Sequence, residues 1–330
     1  MMSKKLNHQA PDRFNDYYGI SYPNSPTRCR NCAIDTTSSN FYLLNCMFYD
    51  LTSRAIKMVF IQNIKFLSDT CRFYNCSIDS ANGGACYLYC PHSSIVQHRS
   101  CAEKCICGTA STYYGHFSYQ YLTDGESSDL NYIISSSIHD CGKTFMGCAN
   151  IYLYYGNISY LQNNLSHCNS YQDSGAKYFG SSNYDGFLEY SVFDSSTSND
   201  LWTCVDLWKR FQVSKCNVIN NTQGSSSIGI IYHRFDNITF QSCIITNNTY
   251  PSGACLFYYY HSDADTFILQ NCYITGFSSN NEFVQNLNTN NSLKNPLKFD
   301  QMNCSPDPIK IQTFVKKTKK INFFFALGFF

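Results

Sequence analysis

The chain has 330 residues, a net charge of +1 and only 14% charged side chains, with 24 Lys and Arg against 23 Asp and Glu. That balance, with no basic patch within its repeats, argues against a nucleic-acid partner. Its 19 Cys are spread over too long a chain to be the disulfide framework of a small secreted domain.

Residues 1–40 carry Pro, Asn and Arg without a repeat and are expected to form a lead-in and cap. Met1 to Lys5 is basic, but Leu6 to Tyr22 is polar and lacks the apolar stretch of a signal peptide.

From Phe41 a pattern returns about every 27 residues. It reads apolar, apolar, small-polar, apolar, at steps of two, three and two. The units are Phe41-Leu43-Cys46-Phe48, Cys71-Phe73-Cys76-Ile78, Ile95-Gln97-Ser100-Ala102 and Asn131-Ile133-Ser136-Ile138. They continue as Ile158-Tyr160-Asn163-Leu165, Gly186-Leu188-Ser191-Phe193, Phe211-Val213-Cys216-Val218, Ile238-Phe240-Cys243-Ile245 and Phe267-Leu269-Cys272-Ile274. Steps of two are the period of one strand face, and the step of three demands a corner. A second apolar cluster follows each anchor, for example Cys86-Tyr87-Leu88 and Cys204-Val205-Asp206-Leu207, so each unit holds three short strands. The predicted fold is all-β: a right-handed parallel β-helix of about nine coils over 41–282, its core supplied by coil stacking. The period is too short for a propeller blade.

The stretches Gly83-Gly84-Ala85-Cys86 and Ser252-Gly253-Ala254-Cys255 resemble the Gly-Gly-Ala signature of polymorphic surface-protein repeats. Phe240-Gln241-Ser242-Cys243 with Ile245-Thr246-Asn247-Asn248 is similar to their companion phenylalanine-to-asparagine element. The wider relatives are pectin-lyase-like β-helix proteins, and the Asn-, Tyr-, Ser- and Cys-rich composition resembles surface-protein families of parasitic protists. The resemblance implies display at the cell surface or outside the cell.

Cys101, Cys105 and Cys107, with His98 nearby, have spacings that admit zinc, but no second pair completes a set. The Cys anchors read as a buried, reduced ladder. β-Helix enzymes that cut acidic polysaccharides need clustered carboxylates on one face. The nearest groups are Asp124-Glu126-Asp129, with Asp185 and Glu189 as neighbours should that loop fold back, Asp263-Asp265, and Asp206 with Lys209 and Arg210. None recurs at one ladder position, so no catalytic residue, cofactor or metal is expected. The 27 Tyr and 25 Phe are read chiefly as stacked aromatics. Tyr152, Tyr154, Tyr155, Tyr258, Tyr259 and Tyr260 are the candidates for a sugar-binding face. Asn75, Asn157, Asn164, Asn220, Asn237, Asn247, Asn290 and Asn303 head glycosylation sequons that count only in a secreted protein.

Residues 283–330 lose the pattern. Phe299 to Cys304 echoes it as a degenerate last coil. Lys316-Lys317-Thr318-Lys319-Lys320 then precedes the apolar Ile321 to Phe330, which is too short to span a bilayer. A truncated membrane anchor, an interfacial segment and a reading-frame artefact are the competing accounts. The functional expectation is a non-catalytic, surface-displayed β-helix that binds a glycan or a cell-surface protein. The alternatives are a polysaccharide lyase or hydrolase of the same fold and a fragment of a larger surface protein.

Overall fold

The computed structural model describes residues 13–35, 40–110, 112–123, 126, 128–143, 145–171, 176–179, 186–199, 204–224, 229–260, 266–276, 284–285, 289–290, 292–293 and 304. Apart from helix α1 (Arg13–Tyr18) the described elements are short strands in a parallel β-solenoid with three strands per coil. Among the described residues, three main sheets run along it, of nine, ten and nine strands, and a fourth has three. Taken in the order the chain meets them, Ile56–Val59 belongs to the first sheet, Lys65–Asp69 to the second and Arg72–Tyr74 to the third. The solenoid makes about seven turns, fewer than the nine expected. The terminal units are carried by two-residue strands, Ile34–Asp35, Tyr273–Ile274 and Val284–Gln285, and so add less than their share.

The step of three has a single cause. Each second-sheet strand is followed by one left-handed residue and then the anchor. Asn45, Thr70, Arg99, Ser135, Gln162, Tyr190, Lys215, Ser242 and Asn271 all have φ between 49° and 57°. Each turns the chain through the corner, and from Asn45 to Ser242 its N–H donates to the next coil: Thr70 to the His98 carbonyl at 3.0 Å and Lys215 to that of Gln241 at 2.8 Å. The third sheet ends in the same device, with Asp50, Asn75, Lys104, Asp140, His167, Ser195, Asn220 and Asn247 left-handed.

One unit therefore needs a new register. Phe41 pairs with Phe66, and Phe48 with Phe73, so the second unit is Phe66-Ser68-Cys71-Phe73. Cys71 is its first-corner anchor. Cys76 follows the left-handed Asn75 and opens a second inward ladder with Cys105, Cys141, Cys168, Ser196 and Asn221.

The anchors do a common job. At the corner the strand ladder is interrupted, and the anchor's N–H would be left without an acceptor. The anchor of the next coil accepts it. Cys216 N donates to Cys243 Sγ at 3.5 Å and Cys243 N to Cys272 Sγ at 3.4 Å. Ser100 N donates to Ser136 Oγ at 3.0 Å, and Ser136 N to Asn163 Oδ1 at 2.8 Å. Cys, Ser and Asn interchange because each is small and carries an acceptor. Burial raises the thiols of Cys71, Cys105, Cys141 and Cys243 well above their ordinary pKa, so they stay protonated and unreactive.

Inside the rod, like residues stack. The Phe48 and Phe73 rings lie 5.1 Å apart at 11°; Phe193, Phe240, Leu269, Val213, Val218 and Ile245 are buried, and Ile274 is half-buried at the end. Two inward positions hold amides instead. Gln97 on the second sheet and Gln120 on the first meet across the lumen, Nε2 of Gln120 donating to Oε1 of Gln97 at 2.8 Å. Gly84 is pressed against the next turn: a Cβ there would sit 2.2 Å from the His116 carbonyl oxygen.

Candidate functional site

On the first sheet every second side chain points outward, and two outer rows become aromatic. In register, Lys57, Tyr87, Tyr119 and Tyr152, then Asp206, Tyr232 and Tyr258, make one row. Val59, Tyr89, Tyr121 and Tyr154, then Trp208 and Arg234, make the other. The rings stack along the axis. Tyr119 lies 4.8 Å from Tyr152 at 4°, and 5.2 Å from Tyr87 at 24°. Tyr121 lies 4.8 Å from Tyr89 at 8° and 4.6 Å from Tyr154 at 41°. Ring faces are thus largely occupied by neighbouring rings: Tyr119, Tyr152 and Tyr232 are buried, and Tyr87, Tyr89, Tyr121 and Tyr154 are half-buried. Burial, reinforced by the neighbouring phenols, raises the pKa of Tyr119 and Tyr152, so both hydroxyls are neutral.

Cations close the ladder at both ends. The Arg54 guanidinium sits 4.5 Å over the Tyr87 ring. That of Arg234 lies 4.3 Å from Trp208, 4.7 Å from Tyr260 and 4.8 Å from Tyr232. Phe60, 72% exposed, leans edgewise on Tyr89 at 4.7 Å, and Tyr260 is 53% exposed. Of the expected sugar-binding tyrosines, Tyr152, Tyr154, Tyr155, Tyr258 and Tyr260 are brought to this side. Tyr259 is not: it points inward and is buried.

The chain itself covers parts of the other two outer faces. Helix α1 lies on the second sheet, with Phe14 fully buried among Tyr42, Leu44, Leu67 and Val96. The Tyr18 hydroxyl donates to the carbonyl of Phe66. Beside this helix Asp69 meets His98 at 2.9 Å, and Tyr17 stacks edgewise on His98. Burial would raise the Asp69 carboxyl, but the His98 and Thr70 hydrogen bonds outweigh it and hold the pKa low. On the third sheet Cys304 is fully buried and forms a disulfide with Cys101, 203 residues earlier. Cys304 thus lies on the flank of an early coil, and the rest of the expected last coil, Phe299 to Asn303, lies outside the described residues.

The zinc-like spacing does not assemble. His98 is on the second sheet's outer face, Cys101 on the third sheet's, and Cys105 faces the core. The Cys107 thiol donates instead to the Tyr113 carbonyl at 3.4 Å, and its backbone N–H donates to His116 Nδ1 at 3.0 Å while His116 Nε2 donates to the Met146 carbonyl at 3.1 Å. What does assemble was not anticipated: Cys101, His139 and Cys304, with Glu103 and Asp140 beside them. Register alone carried a signal, because Glu103 and His139 are neighbours across adjacent coils.

The acidic candidates stay apart. Asp129 and Glu126 cap one turn, Asp129 Oδ2 accepting the Glu126 N–H at 2.8 Å. Asp206 is buried in the first sheet's outer row, while Arg210 reaches Asp236 at 3.9 Å in an open cleft of about 340 Å³ lined with Phe211, Gln212, Asn237 and Thr239. Asp124, Asp185, Asp263, Asp265 and the tail from Lys316 to Phe330 lie outside the described residues. No helix among the described residues is long and apolar enough to cross a membrane. No family model, curated protein or solved structure matches the chain.

Proposed function

We propose that this is a non-catalytic binding solenoid, displayed at or outside the cell surface, whose ligand face is the aromatic outer side of the first sheet. The observation that carries the reading is the double ladder of stacked tyrosines. Stacking freezes each ring and sets the half-buried Tyr87, Tyr89, Tyr121 and Tyr154 at the coil spacing of about 4.8 Å. A rigid, regularly spaced rank of that kind suits an extended glycan laid along the axis, held by hydrogen bonds and by the exposed rings of Phe60 and Tyr260. Among the described residues, α1 and Cys304 cover stretches of the second and third sheets, while Tyr114 from a preceding loop packs on Tyr152 of the ladder at 4.8 Å.

The acids support a binder over a lyase or hydrolase. Among the described strands, no acid faces an acid in the next coil. Asp69 faces Leu44 and His98, Glu103 faces Tyr74 and His139, Glu189 faces Leu161 and Ser214, and Asp194 faces Ser166 and Ile219. Surface display rests on the sequons and on the resemblance to surface repeats. Asn75, Asn220, Asn237 and Asn247 are exposed, but Asn164 is buried and closed to a glycan.

The test uses the full chain on a panel of glycans and on polygalacturonate, with and without calcium. Saturable binding, weakened about tenfold by Phe60→Ala with Tyr260→Ala, a loss of about 1.4 kcal/mol, supports the reading. Unsaturated products or new reducing ends would overturn it in favour of the enzyme. Absence of glycan binding alongside tight capture of a protein would move the ligand to the protein class.

A further inference from the structure

We propose that Cys101 and Cys304, once reduced, form with His139 and Glu103 a tetrahedral zinc site on the outer face of the third sheet. Three parts of the chain supply the donors. Cys101 and Glu103 share one strand, His139 stands beside Glu103 in the next coil, and Cys304 arrives from the C-terminal part of the chain. His139 Nε2 lies 3.5 Å from Cys304 Sγ and 3.6 Å from Glu103 Oε2. A tetrahedral ion with sulfur at about 2.3 Å and nitrogen or oxygen at about 2.0–2.1 Å sets those pairs about 3.6 Å and about 3.4 Å apart. The two cysteine Cα atoms are 5.3 Å apart, close enough for both sulfurs to reach one ion.

The surroundings are those of a ligand set. A disulfide sulfur gains little from an imidazole nitrogen, yet His139 turns Nε2 towards it. Asp140 Oδ2 stands 3.4 Å from the other nitrogen, Nδ1. A carboxylate there holds the proton on Nδ1 and leaves the Nε2 lone pair for a metal. Lys104 Nζ takes the other Glu103 oxygen at 3.2 Å, leaving Oε2 turned to His139. Cys101, Glu103 and Cys304 are buried, so the ion would be shielded from water. The buried His116 near Cys107 lacks this potential, because its nitrogens are engaged by the Cys107 backbone N–H and the Met146 carbonyl and the Cys107 thiol by the Tyr113 carbonyl.

The chemistry balances as follows. A phosphine reductant gives two electrons to the disulfide and takes oxygen from one water, becoming its oxide. The two protons of that water end on the Cys101 and Cys304 thiols. Zinc(II) then displaces both protons to solvent as the thiolates bind.

The experiment uses the full chain, reduced with phosphine and titrated with cobalt(II) as a zinc surrogate, then competed with zinc. Reduced wild-type protein should show the visible bands of tetrahedral cobalt with thiolate charge transfer at one ion per chain, and the oxidised protein none. His139→Ala leaves all the thiols in place and should abolish the bands. Asp140→Asn, at an exposed position, should fold normally and weaken affinity about 10- to 100-fold. Far-ultraviolet circular dichroism on each variant checks that the solenoid persists. Absence of bands in the reduced wild type, or bands unchanged in His139→Ala, would overturn the site.

Discussion

At the first corner the anchor is defined by an acceptor as much as by size. Cys243 accepts the Cys216 N–H and donates to the Gln241 carbonyl at 3.4 Å. Replacing it by Ser keeps both bonds and should change stability by less than about 1 kcal/mol. Replacing it by Val keeps the apolar bulk but orphans a buried N–H, at a cost of about 1–3 kcal/mol. Urea unfolding of the two variants checks this; equal losses would make the ladder merely apolar. Phe240, 1% exposed, is the apolar counterpart. Phe240→Ala should cost about 3–5 kcal/mol by the same measurement. His116 sets an acid limit. It is fully buried and neutral, and desolvation lowers its pKa from 6.5 to about 4 despite the Met146 carbonyl. Above pH 6.5 neither state is protonated and the full stability is present. As pH falls towards 4, the unfolded chain takes up a proton that the folded chain refuses. On the order of 3 kcal/mol is lost in that window, and nuclear magnetic resonance titration should place the His116 midpoint near its lower end.

At the scale of the strand and corner, the left-handed residues are a periodic cost. Non-glycine side chains there are disfavoured by about 1–2 kcal/mol, least for Asn. Asn already fills this position at Asn45, Asn75, Asn220, Asn247 and Asn271, whereas Arg99, exposed with φ 49°, lacks that advantage. Arg99→Asn should raise stability by about 0.5–1 kcal/mol, seen as a higher melting temperature. This grammar also explains what the sequence disclosed. Strand, small residue and strand repeat at a fixed period, so the solenoid and its three sheets were legible. Both corners use the same grammar, strand then left-handed residue then small anchor, and Cys71 and Cys76 are five residues apart. A slip from one corner to the other therefore preserves the pattern, and the second unit was read one corner late. The aromatic face was legible in part, since Tyr152 and Tyr154 alternate with inward Ile151 and Leu153. Tyr259 was misjudged because in a run of three tyrosines only the register against His233 tells which one points in. The metal-like cluster was opaque: nothing local ties Cys304 to a strand two hundred residues away.

For the whole molecule, stacked coils make stability a sum of neighbour terms, so a rod can fray from its ends. Two features oppose this. Helix α1 bridges three successive second-sheet strands through Phe14, and the Cys101–Cys304 bond ties the C-terminal part of the chain to an early coil. Closing a loop across a sequence separation of 203 residues removes unfolded-state entropy worth about 5 kcal/mol in the chain-entropy model. In oxidised protein without added metal, Cys304→Ser should therefore lower unfolding free energy by several kcal/mol, and phosphine reduction of the wild type should do the same. Hydrogen exchange gives the spatial test. With the bond closed, the coils from Cys101 to the last unit lie within one covalent loop and should open cooperatively. In Cys304→Ser, amides of Phe267–Gln270 should lose protection before those of Cys101–Glu103. Uniform loss of protection along the rod would show instead that coil stacking alone sets its cooperativity.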